Sequence, residues 1–156
     1  MNKKIFWIVV LISLGVGVFF MTQKTATTPS IKQPPIATTT TYTNTTYGFT
    51  LTLPQSWNGY TVTTGTLPFG YTVTLRHPLW TEENQYMDIP ILVYPIAQWR
   101  QWESNNFEGY PTAAPIGPTE RGRNERYVFA TAPRYNYSFK TGWETVDEII
   151  KSLEGF

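Results

Sequence analysis

"YGFTLTLPQSW", residues 47 to 57, alternates Phe49, Leu51 and Leu53 with Thr50 and Thr52, breaks at Pro54 and closes on Trp57. Successive side chains of a strand point to opposite faces, so the alternation predicts a strand with one face on a core and one in water. The pattern continues downstream. Asn58-Gly59 has turn chemistry, and Tyr60 and Val62 then alternate with Thr61 and Thr63 in a second strand. Gly65 to Gly70 forms another turn region. Tyr71, Val73 and Leu75 against Thr72, Thr74 and Arg76 give a third strand that ends at His77-Pro78. Leu79 to Asp88 is polar and reads as a loop, whereas the apolar run Ile89 to Tyr94 reads as a more deeply buried fourth strand.

Pro95 suits the first turn of a helix, where its missing N–H leaves no bond unmade. Ile96, Trp99 and Trp102 follow at a spacing of three, which predicts a short helix from about Pro95 to Asn105. Gly109 to Pro118 is rich in proline and glycine and reads as a loop. Arg123 to Thr131 and Arg134 to Phe139 read as two strands joined around Ala132-Pro133. Thr145 with Glu148 has the form of a capping box, and Val146, Ile149, Ile150 and Leu153 make one apolar stripe before Gly155. Residues 42 to 156 are thus expected to fold as one α+β domain, a largely antiparallel sheet with helices packed on it.

The N-terminal part has another character. Two lysines in residues 1 to 4 precede an uncharged apolar run, Ile5 to Met21, of 17 residues. As a helix this run spans roughly 26 Å, close to the hydrocarbon thickness of a bilayer. It reads as an uncleaved transmembrane signal anchor, with a cleaved secretory signal as the alternative. Lys3 and Lys4 place residues 1 to 4 in the cytoplasm and the chain after Met21 outside, so the expected location is membrane-anchored, single-pass and extracytoplasmic. Residues 22 to 41 are rich in threonine and proline, lack apolar periodicity and read as a disordered, extended tether. Asn44-Thr45-Thr46 and Asn136-Tyr137-Ser138 match the N-glycosylation pattern, and the tether has the composition of an O-glycosylated stalk.

No cysteine is present, which excludes disulfides, thiolate metal sites and thiol-linked lipid. The net charge is +1, but four of the twelve basic residues precede Tyr42. The domain therefore carries eight basic against eleven acidic side chains, a net −3 that disfavours a nucleic-acid partner.

The two ends of the domain resemble a known family. "YGFTLTLPQSW" resembles the opening of PsbP-like domains, in which an aromatic-Gly-Phe strand runs into a proline and then a tryptophan. "VDEIIKSLEGF", residues 146 to 156, is similar to that family's closing helix with its short aromatic tail. The resemblance covers about residues 42 to 156. It implies an antiparallel sheet with helices packed on it, as in the Ran-binding Mog proteins. Family members include extrinsic photosystem subunits and nuclear transport factors, so it implies a binding scaffold rather than an enzyme; separately, no cofactor is expected.

Two groups of residues are candidate binding sites. Trp80, Tyr86, Tyr94, Trp99, Trp102 and Tyr110 cluster in the sequence, and exposed aromatic rings suit stacking on sugars or anchoring a protein partner. Arg121, Arg123, Arg126 and Arg134, interleaved with Glu120, Glu125 and Tyr127, form a candidate anion-binding edge. Phe49, Leu53, Pro54 and Trp57 are assigned to core packing. His77 is the single histidine, and Glu82, Glu83 and Asp88 beside it lack the regular spacing of a calcium loop, so no metal is expected. No nucleophile elbow, zinc helix motif or phosphate-cradling loop occurs. The expected function is a membrane-tethered extracytoplasmic binding or assembly module with a protein partner at the cell surface. A cell-wall or carbohydrate-binding domain using Trp99 and Trp102 is the alternative. A hydrolase using two of Glu82, Glu83, Asp88, Glu103 and Glu108 comes third.

Overall fold

The computed structural model describes residues 38 to 108, 110 and 117 to 156. The anchor assigned to residues 5 to 21 and most of the tether assigned to 22 to 41 lie outside the described residues. No helix among those described is long and apolar enough to cross a membrane.

Among the described residues eight strands and two helices follow in the order β1 (Thr39–Asn44), β2 (Phe49–Pro54), β3 (Thr61–Leu67), β4 (Gly70–Arg76), β5 (Ile89–Pro95), α1 (Ile96–Ser104), β6 (Thr119–Arg123), β7 (Tyr127–Thr131), α2 (Trp143–Lys151) and β8 (Glu154–Gly155). A single turn of 3-10 helix, Gln55–Trp57, follows β2. The strands form two sheets, β1-β2-β8 and β3-β4-β5-β7-β6, and every pairing is antiparallel. The fold is α+β and dominated by sheet.

The alternation in β2 has the predicted consequence. Phe49, Leu51 and Leu53 are sealed in the core with Trp57, and the same core takes Val73 and Leu75 from β4, Ile89, Ile91 and Val93 from β5, Phe129 from β7 and the apolar stripe of α2. The intervening residues of β5 and β7 are not in water. Tyr94, Val128 and Ala130 pack on the other side with Trp99 and Trp102 from α1. Strands β5 and β7 are therefore covered on both faces, which explains why Ile89 to Tyr94 reads as a continuous apolar run. Truncating a side chain such as Phe129 there costs about 3 to 5 kcal/mol, against a few tenths at an exposed position of β3.

Several boundaries differ from the sequence reading. The turn expected over Gly65 to Gly70 shrinks to Pro68 and Phe69, because Gly65, Thr66 and Leu67 pair with Thr72, Tyr71 and Gly70 as the end of the β3–β4 hairpin. Strand β1 begins at Thr39 and pairs Thr39, Thr40 and Thr41 with Pro54, Leu53 and Thr52, so the domain takes in three residues assigned to the tether. The second strand before the closing helix is Thr119–Arg123, upstream of its hairpin partner, and Arg134 to Phe139 is no strand. Both edges of β7 are occupied, by β5 and β6, so residues 134 to 139 have no free edge there. The capping box is also absent. Gly142, at φ +87°, precedes the first residue of α2, and the Thr145 hydroxyl donates to the Gly142 carbonyl at 3.0 Å. The helix starts there because Tyr86 packs against Gly142, where a Cβ would lie 2.0 Å from the ring, and because the Met87 N–H donates to the Thr141 carbonyl at 2.9 Å.

One side chain in the β6–β7 turn joins both sheets. Asn124 Nδ2 donates to the carbonyls of Tyr47, Gly48 and Phe156 at 2.8, 2.9 and 3.2 Å, while its Oδ1 accepts the N–H groups of Arg126 and Tyr127 at 2.9 Å. An aspartate would keep the acceptor and turn an oxygen toward three carbonyls. Asn124→Asp is expected to lower the unfolding free energy by about 2 kcal/mol or more and to cost more than Asn124→Ala. Coincident urea midpoints for Asn124→Asp and the parent chain would show that the Nδ2 contacts carry no stability.

Candidate functional site

The six candidate aromatics do not share a surface. Trp99 and Trp102 are 2% and 5% exposed and fill the space between α1 and the five-stranded sheet, so neither offers a ring face to a ligand. Tyr94 is buried with them, its ring 5.0 Å from Trp102 at nearly a right angle. Its hydroxyl lies 2.7 Å from that of half-buried Tyr110. Burial pushes the Tyr94 hydroxyl pKa far above its ordinary value, with the Tyr110 contact adding to it. A small hollow of about 230 Å³ remains there, lined by Leu67, Phe69, Leu92, Tyr94, Trp102 and Tyr110 among others. The carbohydrate platform expected from Trp99 and Trp102 is thus core packing, because a helix laid across two strands turns its regularly spaced rings inward. Trp80 and Tyr86 lie elsewhere. The Arg76 guanidinium sits 3.9 Å above Trp80 while pairing with Asp88 at 3.3 Å, and Tyr86 stacks on His77 with ring centroids 3.9 Å apart.

The four arginines separate as well. Arg123 is committed to Glu120, with Nε to Oε1 at 2.6 Å and Nη2 to Oε2 at 2.5 Å. Arg126 lies over Tyr127 at 5.5 Å and lines a shallow depression with Asn124, Glu125, Gly155 and Phe156. Arg121 and Arg134, by contrast, come together in one open cleft of about 530 Å³.

That cleft is assembled from three pieces of chain. Strand β6 brings Arg121, the segment leaving β7 brings Pro133 to Ser138, and the first turns of α2 bring Trp143 and Asp147. Positions four apart share a helix face, so Trp143 and Asp147 line the cleft while Glu144 and Glu148 line a separate groove against Thr52 and Pro54. Trp143 is 38% exposed and Tyr137 42%, and Phe139, 5.3 Å from Tyr137, is 79% exposed. These rings are accessible where those of Trp99 and Trp102 are not. Asn136 Nδ2 donates to the Trp143 carbonyl at 3.1 Å and ties the loop to the start of the helix.

A short hydrogen bond from the Tyr135 hydroxyl to Asp147 Oδ1 forms the floor. It holds the Asp147 pKa below the ordinary carboxylate value, helped by Asn136 and by the charges of Lys151 and Arg121. The Tyr135 pKa is pushed up to about 12, first by burial and then by Asp147. Asp147 is accordingly an anionic acceptor at neutral pH, and Tyr135 keeps its proton. Arg121 is fixed by its Nε on Thr131 Oγ1 at 3.0 Å and by the Tyr135 ring 5.2 Å away. Neither Arg121 nor Arg134 forms an ion pair among the described residues.

Tyr135, Asn136, Tyr137, Trp143 and Asp147 were not among the sequence candidates. The signal that would have found them is the pair Trp143 and Asp147 at helical spacing, preceded by "RYNYSF", in which rings alternate with hydrogen-bonding groups.

His77 is buried in a structural setting. Its Nδ1 accepts the Leu79 N–H at 3.1 Å, Tyr86 covers one ring face, and Trp57 meets it edge-on at 5.0 Å. Burial lowers its pKa below 6.5. Glu82, Glu83, Glu103 and Glu108 are exposed on loops or helix ends, and Asp88 is tied to Arg76. Among the described residues no three His, Cys, Asp or Glu side chains stand close enough to hold a metal ion. Among the described residues the Trp143 cleft is lined by one carboxylate, Asp147.

No family model matches this chain, and no curated protein or solved structure matches it either.

Two titrations follow from this geometry. Because the folded His77 pKa lies below the unfolded value, protons favour the unfolded chain: stability is full above about pH 6.5 and falls as pH drops through the folded pKa. His77→Gln should flatten that slope in melts between pH 7 and 5, and an unchanged slope assigns it to other groups. Tyr135→Phe should raise the Asp147 pKa toward 3.8 in a carboxyl ¹³C titration. An unmoved Asp147 pKa would mean that its lowering comes from the surrounding charges alone.

Proposed function

We propose that this chain is a membrane-tethered, extracytoplasmic binding module that engages its ligand in the Trp143 cleft. The observation that carries the reading is the cleft itself. Exposed Trp143 and Tyr137 rings stand beside Arg121 and Arg134, which have no ion pair among the described residues, and beside a single carboxylate, with no second carboxylate lining the cleft to act as its acid or base partner. Exposed aromatic faces with a few convergent polar groups are the composition of recognition sites. The apolar span at Ile5 to Met21 supports the tether, and a tether raises local concentration so that a shallow cleft suffices.

A PsbP-like relationship fits this reading. Its support is the pair of terminal motifs together with an antiparallel sheet that carries helices on it. The first expectation for the partner is a protein at the cell surface. The cleft, polar as well as aromatic, favours an envelope polymer.

The test is retention of the full chain, in detergent, on envelope proteins and on the insoluble wall fraction of the source cell. Trp143→Ala should reduce retention about thirtyfold, the size of a hot-spot truncation of 2 kcal/mol. Undiminished retention with an unchanged melting temperature would place the binding face away from this cleft.

A further inference from the structure

Resting on that binding reading, we infer that the ligand of the cleft is an acidic saccharide, a sugar unit that carries a carboxylate. Three features of the cleft each match one part of such a molecule.

The first is the ring face. Trp143 and Tyr137 keep about two fifths of their surfaces in solvent, and Trp143 is held by the Asn136 hydrogen bond to its carbonyl. A pyranose presents a flat apolar patch of C–H groups to such a ring, and the electron-rich face of an indole receives it.

The second is the hydroxyl pattern. Asp147 is kept ionised by the hydroxyl of Tyr135, which engages Oδ1. A carboxylate offers about four acceptor positions, so with Tyr135 and the neighbouring Asn136 side chain on it Asp147 keeps capacity to accept from a sugar hydroxyl. An ionised acceptor makes the stronger, charge-assisted bond.

The third is the charge. Outside this cleft Arg76 and Arg123 are paired with Asp88 and Glu120, while Arg100 and Arg126, exposed on the surface, form no ion pair among the described residues. Arg121 and Arg134 lack such partners among the described residues and both line the cleft. What sets Arg121 and Arg134 apart is that they stand together beside the exposed rings of one cleft, which in a domain of net charge −3 suits that cleft to an arriving anion. Arg121 spends Nε on Thr131, which leaves its two Nη groups for an end-on, bidentate grip on a carboxylate. A neutral sugar uses the first two features and not the third. A simple anion uses the third alone.

The deciding experiment is calorimetric titration of the full chain in detergent with three probes: a galacturonic acid trimer, its methyl ester and inorganic phosphate. The acid trimer should bind at least about tenfold more tightly than the ester. Arg134→Gln, at an exposed position that leaves folding intact, should weaken the acid trimer about tenfold and leave the ester unchanged, whereas Trp143→Ala weakens both. Equal affinity for acid and ester, no effect of Arg134→Gln, or phosphate competing as well as the trimer would each overturn the assignment. Absence of binding by either trimer overturns it as well. If Trp143→Ala still abolishes retention of an envelope protein in that case, the binding module stands and its ligand is a protein. If Trp143→Ala changes nothing in either assay, the cleft reading itself falls.

Discussion

The amide of Asn124 is the constraint on which the geometry of the domain depends. It contacts the turn between β1 and β2, the last residue of the chain and its own hairpin, and so fixes how the three-stranded sheet meets the five-stranded one. Apolar packing between β2 and strands β4, β5 and β7 drives the two sheets together, but packing is nondirectional and tolerates sliding. Five hydrogen bonds to one side chain do not. Gly48 is required beside it, at φ +79°, because a Cβ there would come within 2.7 Å of both the Asn124 amide and the Phe156 carbonyl.

Once that junction is set, the division of labour follows. Strands β5 and β7 are covered on both faces and use their side chains for packing, which leaves little freedom for recognition. The cleft forms where regular structure runs out, at the exit of β7 and the entry to α2. Loops there are positioned by the scaffold without belonging to its core. The indole of Trp143 stands on the first residue of a helix that packs through Val146, Ile149 and Ile150, so the cleft-lining face of Trp143 and Asp147 adjoins the core face of the same element.

Much of the fold was legible in the sequence because strand period and helix period are local signals. Strands β2 to β5 and helices α1 and α2 stand close to where alternation, Pro95 and the apolar stripe place them. Strand β1 was hidden because a run of threonines at a sheet edge has no core face to display, and β6, "TERGR", because its residues are polar. In Arg134 to Phe139 the alternation is genuine but answers to the cleft, with Tyr135 packed against the core and Tyr137 and Phe139 exposed, since period alone does not reveal whether a neighbouring strand has a free edge. The site was less legible than the fold. Trp99 and Trp102 drew the reading because they are clustered tryptophans, yet the same spacing that made α1 recognisable buries them. Arg121 and Arg134 are 13 positions apart, and only the path of the chain after β7 brings them into one cleft.

The antiparallel order of the first sheet sets a schedule for folding. Strand β2 pairs with β1, its sequence neighbour, and with β8, about a hundred residues later, so one edge zips early and the other waits. A chain delivered N-terminus first holds Phe49, Leu51 and Leu53 on an unfinished sheet until residues 154 to 156 emerge, and the third carbonyl acceptor of Asn124 arrives with them. Delivery in that order therefore presents this domain with a long interval of incomplete closure. The threonines that alternate along β2, and the wholly uncharged threonine-rich strands β1 and β3, keep its exposed edges hydrated through that interval without adding charge.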